Sequence, residues 1–147
     1  MKELDDVTAQ IIDAALKVHQ RMGPGLLESV YETILAAQLS RCGLKVERQK
    51  GVDFDFDGLH FVRGFRLDLL VEERIAVEIK SVEQLKLIHK TQLLTYIRLM
   101  NLPIGLLINF GGLTLRDGLV RLVNQLPRSS SRRLAVDRLS PPSKTES

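Results

Sequence analysis

Phe61-Val62-Arg63-Gly64-Phe65-Arg66-Leu67-Asp68-Leu69-Leu70-Val71, then Glu72-Glu73-Arg74, then Ile75-Ala76-Val77-Glu78-Ile79-Lys80, is the stretch on which the reading of this chain turns. The first run alternates as a strand does. Phe61, Phe65, Leu67, Leu69 and Val71 fall on one side, and Val62, Gly64, Arg66, Asp68 and Leu70 on the other. The last run is a short apolar strand closed by Glu-x-Lys, and residues two apart on a strand share a face, so Glu78 and Lys80 project side by side. If Glu72-Glu73-Arg74 is a three-residue hairpin loop, Val71 faces Ile75 and Asp68 lies opposite Glu78. A two- or four-residue loop would put the two acids on opposite faces. Directly opposed like charges destabilise a sheet, and a bound cation would turn that defect into a site. The alternative is a plain hairpin with solvated charges on its open face, since an Asp followed by Glu-x-Lys arises often by chance.

The residue types matter because of what they can do together. Carboxylates ligate hard divalent cations, and a lysine beside them can sit next to a phosphate, which is what metal-assisted phosphodiester hydrolysis needs.

Working outward, 147 residues with 44% apolar and 27% charged content fit one ordinary globular domain with a proper core. No apolar run approaches the roughly 18–20 residues of a membrane span. The opening Met1-Lys2-Glu3-Leu4-Asp5-Asp6 has no hydrophobic signal region, so a cytoplasmic location is expected. Cys42 is the only cysteine, which excludes an internal disulfide and suits a reducing compartment. The net charge of +3 resides wholly in Pro127–Ser147, which carries five basic and two acidic residues, so residues 1–126 are balanced. Any nucleic-acid footprint on the folded part must therefore be local.

Leu4, Val7, Ile11, Ala14, Ala15 and Val18 predict a helix over about residues 4–20, broken by Gly23-Pro24-Gly25. A second helix is expected from Leu26 to Arg41, ended by Gly43. Strands follow at Leu44–Gln49 and Val52–Phe56, and Asp57-Gly58 marks a tight turn into the long strand. A third helix is expected from Val82 to Met100, stopped by Asn101 and Pro103. Ile104–Phe110 reads as a strand buried on both faces, parallel to the Ile75–Lys80 strand through a right-handed crossover. Leu113–Leu115 and Leu119–Val123 are expected to pair across Asp117-Gly118. Ser129-Ser130-Ser131-Arg132-Arg133 and Ser140-Pro141-Pro142-Ser143 mark Pro127–Ser147 as a basic, disordered tail behind a domain of residues 1–126.

Two more groups bear on the acids. His89, Gln92 and Tyr96 recur at one face of the third helix, where Gln92 and Tyr96 could hydrogen-bond a phosphate or position a water. Gly25-Leu26-Leu27-Glu28-Ser29-Val30-Tyr31 puts an acid in the first turn of the second helix, where the dipole alone would favour it. His19, His60 and His89 form no zinc spacing, and there is no phosphate-binding glycine loop.

Together these residues resemble a known family. Gly25-x-x-Glu28-x-x-Tyr31 is similar to the signature of the GxxExxY proteins, a branch of the PD-(D/E)xK nuclease superfamily. Asp68, Glu78-x-Lys80 and Gln92-x-x-x-Tyr96 stand where that superfamily's later motifs fall, and Leu67 takes the place of the proline in its name. The likeness runs over about residues 5–123. It also takes in Gly64–Asp68 and Gly105–Gly111. It implies an α/β, restriction-endonuclease-like fold, a mixed sheet flanked by helices. It implies a Mg²⁺ (or Mn²⁺) site ligated by Glu28, Asp68, Glu78 and the carbonyl of Ile79. Lys80 would help orient the attacking water, with Gln92 and Tyr96 supporting the site or the phosphate. The expected activity is hydrolysis of nucleic acid, specifically DNA. The rival expectation is the same fold without catalysis, binding nucleic acid or a protein partner. A third is an accessory subunit that becomes active only in an assembly, a homo-oligomer or a larger one.

Overall fold

Apolar residues at every third or fourth position wind Leu4–Met22 into α1 and bury Val7, Ile11, Ala14, Ala15 and Val18. In the computed structural model, which describes residues 2–125, this helix packs beside α2 (Glu28–Arg41). The amides of Cys42 and Gly43 turn back to carbonyls of the last turn of α2. Then come β1 (Val46–Phe56), β2 (Leu59–Val71) and β3 (Ile75–Lys80). They are followed by α3 (Leu87–Met100), β4 (Ile104–Asn109), a 3₁₀ turn at Arg116–Gly118 and β5 (Leu119–Val123).

The sheet order is β1-β2-β3-β4-β5, antiparallel except for β3 and β4. α3 makes the crossover between those two parallel strands, and β4 is buried along its whole length, as a strand covered on both faces must be. α1 and α2 cover one face over Leu69, Val71, Ile75, Val77, Ile79, Leu106 and Ile108. α3 covers the other over Leu67, Leu70, Ala76 and Leu107. Among the described residues no helix is long and apolar enough to cross a membrane.

The three-residue loop holds. Val71 pairs with Ile75, Leu70 with Ala76 and Leu69 with Val77. Asp57 and Gly58 both take positive φ, 53° and 81°, which builds the tight turn between β1 and β2.

Four expectations are corrected. The strands expected at 44–49 and 52–56 are one strand, because the cross-strand ladder from Val46–Val71 to Val52–Phe65 carries through Gly51 and overrides local propensity. Strict alternation along β2 fails: Leu69 and Val71 join the α1–α2 layer, but Phe65 and Leu67 join the α3 layer. The change falls where Gln49, opposite Asp68, takes φ 50° and kinks β1. α3 starts at Leu87 rather than Val82. The side chain of Asn109 accepts the Val82 N–H and donates to the Val82 carbonyl, so that backbone is bound to the end of β4 and not to a helix. Leu113–Leu115 is not a strand. The amide of Gly118 bonds the Leu115 carbonyl to form the 3₁₀ turn, and β5 pairs with β4 instead. The expected tail, Pro127–Ser147, and hence the domain limit at residue 126, lie outside the described residues.

Candidate active site

The β2–β3 ladder stops at Leu69–Val77. β3 stays in register with β4 as far as Lys80–Asn109, while β2 continues with β1 as far as Leu59–Phe56. The sheet therefore forks, and Asp68 and Glu78 stand opposite each other at the fork. Each carboxylate takes a strand amide. Asp68 N–H donates to Glu78 Oε2 at 2.8 Å, and Ile79 N–H donates to Asp68 Oδ2 at 2.8 Å. The two side chains thus satisfy amides that would otherwise be buried without partners.

Two acids so close, with little water around them, each raise the cost of ionising the other. Glu78 is only 7% exposed. Burial, and then the charge of Asp68, push its carboxyl up to about 7. Asp68 is likewise raised, first by burial and then by the charges of Glu32 and Glu28, against the pull of the Ile79 amide and of Lys80. Lys80, two residues on from Glu78, has no carboxylate within 4.0 Å among the described residues.

The Gly25–Tyr31 stretch is pinned by its tyrosine and joined to the end of β3 by Leu26 and Glu28. Tyr31 is fully buried and stacked on Phe110 with centroids 4.4 Å apart. Its hydroxyl donates to the Gly23 carbonyl and accepts the Leu26 N–H. Ser81, just past β3, donates its hydroxyl to the Leu26 carbonyl at 2.6 Å. The loop is thereby tied to the end of β3, and Glu28 Oε2 accepts the Ser81 N–H at 3.3 Å. A cleft of about 840 Å³ opens there, lined by Glu28, Glu32, Gln49, Arg66, Asp68 and Ser81. A second cavity, about 630 Å³, lies between α1 and α2 and contains none of these acids.

On the other side of the fork, Tyr96 of α3 stacks on Phe65 at 4.2 Å. Burial, and then the charges of Glu78 and Asp68, raise its phenol, while the neighbouring Gln92 side chain works the other way. His89 does different work: Nδ1 accepts the Lys86 N–H at 3.0 Å and caps the helix.

The fork thus gathers Asp68, Glu78 and Ile79, with Lys80 beside them and Tyr96 within their field. Glu28 stands on the rim of the cleft. Among the described residues no three His, Cys, Asp or Glu side chains are close enough together to hold a metal ion. What fits a divalent cation is the donor chemistry of the pair. Two raised carboxyls repel each other, and a cation between them would supply the missing positive charge.

Sequence reasoning missed Glu32. It is 5% exposed, accepts from Arg48 Nε at 3.2 Å and Gln49 Nε2 at 2.6 Å, and shares the cleft with Asp68. The signal was present: Glu32 lies four residues after Glu28, on the same helix face.

Residues 5–122 match the PD-(D/E)XK nuclease superfamily. No protein of curated function matches the sequence. A solved structure titled "Crystal structure of SSO0001" is similar at 23% identity, over 90% of this chain and 68% of that one, with a TM-score of 0.42. The family match spans both acids of the fork, the lysine beyond them and nearly the whole mixed, helix-flanked sheet: this chain belongs to the PD-(D/E)XK nuclease superfamily and has its restriction-endonuclease-like α/β fold.

Proposed function

We propose that this protein is a metal-dependent nuclease that hydrolyses DNA phosphodiester bonds at the β2–β3 fork. The observation that carries the reading is the facing pair Asp68 and Glu78, each carboxylate on the other strand's amide, with Lys80 on the same face as Glu78. Mg²⁺ or Mn²⁺ would be held by Asp68, Glu78 and the carbonyl of Ile79, with Glu28 entering from the rim. When bound, the cation supplies Lewis-acid polarisation of the phosphate and a more acidic water. Lys80, which has no carboxylate within 4.0 Å among the described residues, offsets negative charge that develops on the phosphate. Gln92 and Tyr96, one turn apart on α3, position the phosphate or the water from that side. The superfamily match supports a nucleic-acid substrate. The Gly25-x-x-Glu28-x-x-Tyr31 stretch supports a place in the GxxExxY branch; residues 1–126 as the catalytic domain and action in the cytoplasm belong to the same proposal.

The second reading is a non-catalytic module that binds nucleic acid or a protein partner, alone or as part of a homo-oligomer. The bonds of Asp68 and Glu78 to strand amides favour it, because they give both acids a structural reason to exist without metal. Incubating purified protein with linear and circular DNA in Mg²⁺ or Mn²⁺, against EDTA and against Asp68→Asn, separates the two. Metal-dependent cleavage lost in the variant upholds the nuclease. Binding without cleavage in either metal leaves the module.

A further inference from the structure

Past the fork, Lys50–Phe56 of β1 and Leu59–Leu67 of β2 pair only with each other, in an arm that ends at the Asp57-Gly58 turn. Cross-strand partners share a face, and the two faces of the arm differ. On one, Phe54 pairs with Phe61, their rings 5.0 Å apart, and Phe65 stacks on Tyr96, so the apolar core continues into the arm. On the other, Gly51 pairs with Arg66, and Arg66 lines the cleft beside Asp68.

Arg63 joins Arg66 by a specific device. The register shifts between Val52 and Phe54, and Arg63 takes φ 51°, with its N–H held by Asp53 Oδ1 at 2.8 Å. Such a bulge re-aims a side chain. Arg63 lies across Gly51: a Cβ there would stand 3.0 Å from its Cγ and 3.4 Å from its Nε. The missing side chain leaves room for the Arg63 stem to lie over Gly51, the cross-strand partner of Arg66.

Both arginines are exposed, and among the described residues neither has a carboxylate within 4.0 Å, whereas Lys45, Arg48, Lys50 and Arg121 each have one. Two uncommitted guanidiniums, Arg66 at the cleft and Arg63 beyond it, thus flank a cleft whose other charged lining residues, Glu28, Glu32, Asp68 and Glu83, are all acids. The positive stretch ends at Asp53, Asp55 and Asp57 near the tip, so it spans two residues. With residues 1–126 electrically balanced, a polyanion has no broad basic surface to settle on.

We propose that Arg63 and Arg66 form a phosphate track that holds the backbone of a nucleic-acid strand flanking the bond presented to Asp68 and Glu78. The proposal rests on reading the cleft as a nuclease site. Guanidinium forks suit phosphate oxygens and stay charged at any working pH.

The test is fluorescence anisotropy with a labelled DNA strand of about 20 nucleotides in EDTA, over roughly 50–200 mM KCl. Arg63→Gln/Arg66→Gln should weaken binding about tenfold or more at low salt. It should also flatten the slope of log K against log[salt] by about 1.4, or about 0.7 for each phosphate no longer neutralised. Arg63→Lys/Arg66→Lys should keep most of that slope. Melting temperature and Mn²⁺ titration should match wild type in both variants. Equal affinity and slope in the glutamine variant would overturn the track while leaving the nuclease reading intact, as would a wild type that does not bind the strand. A wild type that never cleaves, yet loses its slope in the glutamine variant, upholds the track and removes the nuclease reading.

Discussion

The two ends of the β2–β3 hairpin meet the same demand in opposite ways. At the closed end, Val71 and Ile75 are wholly buried, and the strands satisfy each other's amides and carbonyls. At the open end the ladder has run out, and two carboxylates take the amides of Asp68 and Ile79. The closed end buries apolar surface and fixes the register. The open end uses that register to hold two acids together at an electrostatic cost, visible in the raised carboxyls of both. Stability and chemistry are thus divided along one hairpin, and substitutions at its two ends should fail differently.

The largest contrast sets Asp68→Asn against Ile75→Ala. Asparagine keeps an oxygen for the Ile79 amide but removes the charge. Mn²⁺ binding by calorimetry should be lost and cleavage should fall about 10³-fold or more, with the melting temperature held or raised. Ile75→Ala leaves a hole under α1 and α2. It should cost about 2–5 kcal/mol in urea denaturation, with normal metal affinity in the protein that remains folded. A strongly destabilised Asp68→Asn would mean that the open end is structural as well.

Lys80→Ala sharpens the same contrast by about 10²-fold in cleavage. The lysine is half-buried and has no carboxylate within 4.0 Å among the described residues, so metal affinity and melting should stay close to wild type. Undiminished cleavage would make Lys80 a bystander.

Glu78→Gln tests the cost itself. The carboxyl of Glu78 titrates at about 7 in the fold, against 4.5 as its ordinary value, so the folded state binds its proton more tightly than the unfolded state does. The metal-free protein therefore has the full benefit of this proton below about pH 4.5 and loses it as pH rises through 7. Glutamine mimics the protonated acid. Glu78→Gln should match wild type near pH 4 and exceed it near pH 8 by of order 2 kcal/mol. Parallel stability curves across that range would show that the fork carries no such strain.

How much of this could be read beforehand follows from how local each cause is. The facing of Asp68 and Glu78 needed only alternation and a three-residue loop, both contained within twenty residues. The kink at Gln49 and the transfer of Leu67 to the other layer depend on where β3 leaves β2, which no window of β1 records. The late start of α3 depends on Asn109, a side chain 27 residues from the Val82 backbone it holds. Glu32 was within reach by helical spacing, but its burial depends on Arg48 and Gln49 arriving from β1. Local periodicity thus carried the strands and helices. Contacts between distant segments decided their limits and the walls of the cleft.

The smallest expected effect concerns Glu28, which separates the rim of the cleft from the fork. Its carboxylate accepts the Ser81 N–H at 3.3 Å, a long bond on an exposed residue at the first position of α2. Two roles predict different losses from Glu28→Gln. As a helix-start acid it interacts with the N-terminal dipole, and neutralising it should cost a few tenths to about 1 kcal/mol of stability with Mn²⁺ affinity unchanged. As an entrant to the metal site it gives up the Ser81 amide when the cation binds. Apo melting should then barely move while Mn²⁺ affinity falls several-fold. We expect the second result, because the Glu28 charge already reaches both Asp68 and Glu78. Apo melting and a metal titration on this one variant decide it. A stability loss with normal affinity would leave the acids of the fork to hold the cation without Glu28.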